Sequence, residues 1–134
     1  MEDNLNSPSP TIFIQIDSLE YSLTPGSTTN ITFQLDHQGE NSDYFEIGVR
    51  GIPASWTSLS AQVVSLAPHE QREISLTIQP PPPPQSEAGI YPIRLIVTSQ
   101  SDLKNTAQVE LNLHLAKWIL SLQLGFEVLL QLKP

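Results

Sequence analysis

Cysteine is absent from the 134 residues, which excludes a disulfide framework and thiolate metal sites. Basic residues are scarce: six Lys and Arg stand against fourteen Asp and Glu, for a net charge of −8. The six are scattered, so no basic face is available to neutralise a phosphate backbone, and nucleic acid is not an expected partner. Charged residues of both signs reach only 15%. Ser, Thr, Asn and Gln take their place, as on the wet face of a β-sheet. Long apolar runs are missing as well. The longest, 118–132, is interrupted by Ser121, Gln123, Gly125, Glu127 and Gln131, too short and too polar for an ordinary membrane span. The opening "MEDNLNSPSP" has neither the basic start nor the apolar run of a secretory signal. The expectation is a chain that stays inside the cell or is a fragment of a larger surface or membrane-associated protein. Residues 1–10 read as a disordered lead.

Helical periodicity is lacking before residue 116, and what fills the space is a period of two. "TIFIQID" sets Ile12, Ile14 and Ile16 on one face. "NITFQLD" sets Ile31, Phe33 and Leu35 inward, and "YFEIGVR" does so with Phe45, Ile47 and Val49. "QVVSL" gives a shorter strand at 62–66. "REISLTIQ" buries Ile74, Leu76 and Ile78; "YPIRLIV" buries Tyr91, Ile93, Leu95 and Val97; "AQVELNLHL" buries Val109, Leu111, Leu113 and Leu115. About seven strands separated by turn residues predict an all-β, antiparallel, immunoglobulin-like sandwich over 11–115. Pro25-Gly26 suits a type II turn, since Gly accepts positive φ. "LTPGSTTNITFQL" (23–35) aligns with "LAPHEQREISLTI" (66–78) at an offset of 43 residues. Two such copies fit the paired halves of one sandwich, each a short strand, a proline turn and a longer strand, and not a solenoid.

Five consecutive prolines, Pro80 to Pro84, stand where the fifth strand would cross to the sixth. Proline restricts the unfolded chain, so a crossover built from it loses less entropy on folding. A polyproline II rod advances about 15 Å in five residues, more than the roughly 10 Å between packed sheets. The rival reading is a ligand for an SH3 or WW domain, but no flanking Arg or Lys lies between Arg72 and Arg94. The run is therefore expected to be an exposed crossover. "EAGIY" (87–91) then has the acidic, x, Gly, x, Tyr form of a tyrosine corner, in which the hydroxyl returns to upstream backbone. The two positions that hold the antibody disulfide would fall at Ile93 and near Phe33, both apolar here.

Candidate chemistry is thin. His37 and His69 fall in predicted turns and His114 on an outward strand position. None has metal-ligand spacing, and solvated surface histidine is the expectation. Asp36, Glu40 and Asp43 bracket one turn with Asn41, but the D-x-D-x-D-G calcium loop is absent, and acidic residues are ordinary in turns. No G-x-S-x-G occurs. No metal, cofactor or catalytic residue is expected, and the chain does not read as an enzyme. Trp56 in "GIPASW" could stack on sugar, yet a core-capping role is the better reading. Asn30-Ile31-Thr32 is a formal glycosylation sequon to which no role is assigned.

Three stretches, "LTPGSTTNITFQLDHQGENSDYFEIGVRGIPASW", "LAPHEQREISLTIQPP" and "SEAGIYPIRLIVTSQ", resemble bacterial immunoglobulin-like modules of the NEW3 and CARDB type. The resemblance covers about 20–115, with "GIPASW" and "AGIYP" its most specific pieces. His37 departs from an asparagine often seen before the second turn. The resemblance implies a non-catalytic spacer or adhesive module, one of a tandem series in a larger protein or assembly, with protein as partner. The alternative is a carbohydrate-binding accessory domain, which should show a row of exposed aromatics. Only Phe13 and Tyr44 among the strand aromatics point outward.

The tail, 116–134, changes phase. Trp118, Leu120, Leu122, Leu124, Phe126, Val128, Leu130 and Leu132 make all eight even positions apolar, against Ile119 and Leu129 among the odd ones. A one-residue slip flips every side chain, so a bulge or hinge is expected near Ala116-Lys117. A helix would bring Leu120, Leu124 and Val128 into its polar arc, so the strand is favoured, with the helix as the alternative. A lone strand of this kind exposes an apolar face and an unpaired edge. These eight residues are the expected assembly surface, whether as the start of a next module or against a partner chain.

Overall fold

A computed structural model describes residues 10–82 and 85–117. Nine strands follow in order: β1 (Ile12–Ile16), β2 (Glu20–Leu23), β3 (Thr29–His37), β4 (Asp43–Arg50), β5 (Thr57–Leu59), β6 (Val63–Leu66), β7 (Gln71–Ile78), β8 (Gly89–Ser99) and β9 (Thr106–Leu115). One 3-10 turn, Ala54–Trp56, precedes β5, and no α-helix occurs among the described residues. The strands form two sheets, β1-β3-β7-β5 and β2-β9-β8-β4-β6, packed as an immunoglobulin-like sandwich. All pairings are antiparallel except β2 with β9, which is parallel. The two strands beyond the seven predicted are β2 and β5, of four and three residues. β5 is too short to display a period of two, and β2 buries only Leu23 of its four residues.

The alternating positions meet between the sheets. Ile31, Phe33, Leu35, Ile74, Leu76 and Ile78 from one side face Phe45, Ile47, Ile93, Leu95, Val97, Leu111, Leu113 and Leu115 from the other, all buried. Each such side chain contributes about 1.5–3 kcal/mol on leaving water, so this layer is the main favourable term in folding. Ile93 and Phe33 occupy it as hydrocarbon, 0% and 1% exposed.

The 43-residue echo is a structural repeat. Glu20–Leu23 and Val63–Leu66 are β2 and β6, the two edges of one sheet. β3 and β7 are neighbours in the other sheet, and Thr32 pairs with its own equivalent, Ser75. Around that pair the ladder reads the same in both directions, Ile31↔Leu76 and Phe33↔Ile74. The flanking strands obey the same rule: Ile16↔Phe33 on one side corresponds to Leu59↔Leu76 on the other. The four-stranded sheet therefore has a local two-fold axis through Thr32 and Ser75. Its two proline turns correspond as well. Ser27 N–H donates to the Thr24 carbonyl at 3.0 Å, and Glu70 N–H to the Ala67 carbonyl at 3.1 Å. The third residue of each turn has positive φ: Gly26 at 83° and His69 at 65°.

Several local expectations are met and two are corrected. Trp56 is buried and meets Tyr91 edge-on, ring centroids 5.5 Å apart. The Tyr91 hydroxyl donates to the Glu87 carbonyl at 2.5 Å, closing the tyrosine corner. That bond keeps the ring tip at the surface, so Tyr91 is only partly buried and not fully so. Gly51, φ 106°, lies against β8, and a Cβ there would sit 2.1 Å from the Pro92 carbonyl oxygen. The proline segment does carry the chain from one sheet to the other, but its first residue is not exposed. Pro80 is buried and its carbonyl accepts Gly26 N–H at 3.1 Å. Gln85 N–H donates to the Pro82 carbonyl at 3.1 Å. Pro83, Pro84, residues 1–9 and the tail from Trp118 onward lie outside the described residues.

Two substitutions test this account. His69→Gly relieves a positive φ at the position where the other half of the repeat already has glycine. Allowing for glycine's backbone entropy, it should raise stability by roughly 0.5–1 kcal/mol in urea unfolding. Tyr91→Phe keeps the ring and removes only the bond to Glu87, and should lower stability by about 1 kcal/mol. No loss on Tyr91→Phe would mean that the corner holds nothing.

Candidate interaction surface

The two ends of the sandwich differ. At the end where the chain enters, Thr11 N–H donates to Asn105 Oδ1 at 2.8 Å, and its carbonyl accepts Gln38 N–H at 2.7 Å. At the opposite end Ala116 N–H donates to the Leu23 carbonyl at 2.9 Å as the chain leaves. The ends are separated by the length of β9, ten residues, or about 33 Å.

The entry end is polar and closed. His37 is 2% exposed, in correction of the expected surface histidine. Its phase explains this: 37 continues the inward series 31, 33 and 35, and only its neighbourhood of turn residues suggested otherwise. The ring packs edge-on against Phe45, centroids 5.0 Å apart. Nε2 donates to the Asn41 carbonyl at 2.7 Å and Nδ1 accepts Gly39 N–H at 3.4 Å, which assigns a neutral ring protonated on Nε2. Asp43, the first residue of β4, accepts Ser99 Oγ at 2.5 Å, Ser101 Oγ at 2.8 Å and Tyr44 N–H at 2.7 Å. Burial pushes its carboxyl up, but these bonds from Ser99, Ser101 and Tyr44 outweigh burial and hold it below the ordinary range. Asp36 is buried and accepts Gln38 Nε2, while Glu40 is exposed. Among the described residues no three His, Asp or Glu side chains gather as metal ligands. His37 and Asp43 spend their polar atoms on structural partners, so the cluster ties the 38–42 turn to the β8–β9 turn.

The exit end is apolar and open. Cross-strand pairing sets Ser22, His114 and Ile90 in one row, and Leu23, Leu115 and Gly89 in the next. Gly89 has no side chain and β2 stops at Leu23, so a groove of about 590 Å³ opens over Leu23, Gly89, Ile90, Leu115 and Ala116. Ile90 is 61% exposed on its wall. Ser22, Thr24 and His114 are its polar lining, and below them Glu20 accepts His114 Nε2 at 2.5 Å and Asn112 Nδ2 at 3.0 Å. These two bonds, that from His114 first, hold the Glu20 carboxyl below its usual range. The other expected features do not converge on any one place. Phe13 and Tyr44 are exposed, but on the outer faces of opposite sheets. His69 is exposed in its turn, and His114 serves the Glu20 pair. Asn30 is exposed, and its side chain accepts Thr77 Oγ1 at 2.6 Å. The eight tail residues from Trp118 to Leu132 lie outside the described residues, directly after the groove. Sequence reasoning missed the groove because its edge strand, β2, carries no periodic signal.

No family model matches the sequence, and no curated protein matches it. Solved structures do resemble the fold. The PapD-like domain of human CEP192 is similar over 82% of this chain and 87% of that one, with TM-score 0.55 and 16% identity. A family 123 glycoside hydrolase from Clostridium perfringens is similar over 81% of this chain, with TM-score 0.68 and 9% identity, but this chain spans only 28% of that enzyme. The periplasmic chaperone SfaE is similar over 78% of this chain and 57% of that one, with TM-score 0.53 and 8% identity. At these identities the likeness is one of fold alone: an immunoglobulin-like β-sandwich.

The pH dependence of stability follows from Asp43. Its folded carboxyl titrates below the unfolded one, near 3.9. Its contribution is therefore present above that value and is lost as pH falls through the folded pKa. Asp43→Asn should be less stable than the parent at pH 7, and the difference should shrink at acid pH as the folded carboxyl takes up its proton. Parallel unfolding curves at both pH values would show that the Ser99 and Ser101 bonds carry no charge-dependent stability.

Proposed function

We propose that the chain is a non-catalytic structural or protein-interaction module, a spacer or assembly unit within a larger protein or complex. The observation that carries this is the exit end: an open apolar groove placed where the chain leaves toward eight alternating apolar residues. Entry and exit at opposite ends suit a module strung between others, since each copy advances the chain by its own length. The NEW3 and CARDB resemblance supports the same reading through "GIPASW" and "AGIYP", whose Trp56 and Tyr91 meet at the crossover. That SfaE is a periplasmic chaperone fits a fold used to hold other proteins. The exposed aromatics Phe13 and Tyr44 form no row, which favours protein over carbohydrate as partner. The partner surface is assigned to Trp118, Leu120, Leu122, Leu124, Phe126, Val128, Leu130 and Leu132 together with the groove.

Truncation tests the reading. Because Ala116 N–H bonds to Leu23, the cut belongs after Lys117. The shortened chain should give a β-type circular dichroism spectrum, unfold cooperatively and scatter as a monomer, while the full chain self-associates. If the shortened chain fails to fold, the tail belongs to the domain's own core and the proposal fails.

A further inference from the structure

We propose that the occupant of the exit groove is the tail of a second copy of this chain, exchanged reciprocally. This inference rests on the assembly reading above and names the partner. Three observations lead to it. The first is length. Residues 118–132, if extended, span about 50 Å, whereas the groove crosses β2, β9 and β8, about 10 Å from first strand to last. A chain's own groove can cover only a few of the eight apolar side chains, and the remainder need another surface.

The second is position. Ala116 lines the groove, and the chain leaves from there through Lys117. A segment starting at the groove must reverse at once to lie along it, while a segment arriving from outside can enter lengthwise and extend past the short edge strand β2. When two copies exchange tails in this way, each tail leaves one groove and enters the other. The two grooves then face one another across a two-fold axis, and the outer parts of the tails meet apolar face to apolar face. The assembly closes at two copies.

The third is charge. Residues 10–116 carry four basic and eleven acidic residues, net −7, whereas 117–134 carry Lys117 and Lys133 against Glu127, net +1. Two acidic bodies repel, so a body-to-body contact is disfavoured, but a body and a foreign tail attract. Glu20 bonds His114, which lines the groove.

The test is a mixing experiment followed by light scattering. Ile90→Asp places a charge in the groove at an exposed position, and Ser22→Arg obstructs the same groove from β2. In the full chain each should shift self-association to at least tenfold higher concentration while leaving the circular dichroism spectrum unchanged. Chain 1–117 has a groove and no tail, and full-length Ile90→Asp has a tail and a blocked groove. Mixed, these two monomers should form a 1:1 complex, and full-length Ser22→Arg should do the same if Ile90→Asp does not fold. If the full chain dimerises but neither mixture associates, the tails pair away from the groove and the exchange is refuted. If the full chain stays monomeric, the exchange is refuted as well, and binding of a synthetic 118–134 peptide to chain 1–117 would then assign the groove to the chain's own tail. Failure of chain 1–117 to fold would instead overturn the assembly reading on which the exchange rests.

Discussion

The antiparallel ladder between β3 and β7 is the constraint on which the rest depends. It joins two strands from opposite halves of the sequence, 29–37 and 71–78, and its register fixes which face of each is apolar. A slip by one residue would turn Ile31, Phe33, Ile74 and Leu76 out to water and bring Thr32 and Ser75 in. Because the ladder is symmetric about Thr32 and Ser75, one register satisfies both halves of the repeat. β1 and β5 then add at equivalent positions on either side. The second sheet does not share this symmetry. There β2 runs parallel to β9 and β6 antiparallel to β4, so the two edges that correspond in sequence end in different surroundings. Among the described residues, the groove lies on the β2 side.

The long strands were legible because burial on one face imposes a period of two: most of the resulting apolar sets are buried, and Ile14, Ile16, Val49, Tyr91 and Val109 are partly buried against the core. The turn after Thr24 was legible because positive φ at its third residue admits few residues other than glycine, and the tyrosine corner because its spacing is local. The misses have physical reasons too. β2 and β5 are held by their neighbours' ladders and by few side chains of their own. His37 looked like a turn residue by composition, although it lies in phase with the buried positions before it. Pro80 looked exposed because proline runs usually are. Its carbonyl still accepts a hydrogen bond, and that bond draws it inward.

The candidate surface divides along the same line. The tail proposed to share it shows eight apolar even positions in sequence and lies outside the described residues. The groove half required three strands to be placed side by side, and two of those neighbours, β2 and β9, are more than 80 residues apart in the chain. Nothing local in "EYSL" or "AGIYP" announces a shared cavity. The polar entry end shows the contrast: Asp36, His37 and Asp43 could be picked out by residue type as candidate chemistry, yet their partners make them fasteners of turns.

The parallel pairing of the second strand with the last has a mechanical side. A module held at Thr11 and at Ala116 in a longer chain takes any tension along its strands. The pull would then reach the β2–β9 ladder lengthwise, and its bonds would share the load in shear and not open one after another. The domain's resistance to stretching would accordingly draw on two ladders, Ile12–Ile16 against β3 near the entry and Glu20–Leu23 against β9 near the exit, the second being the strand that walls the groove.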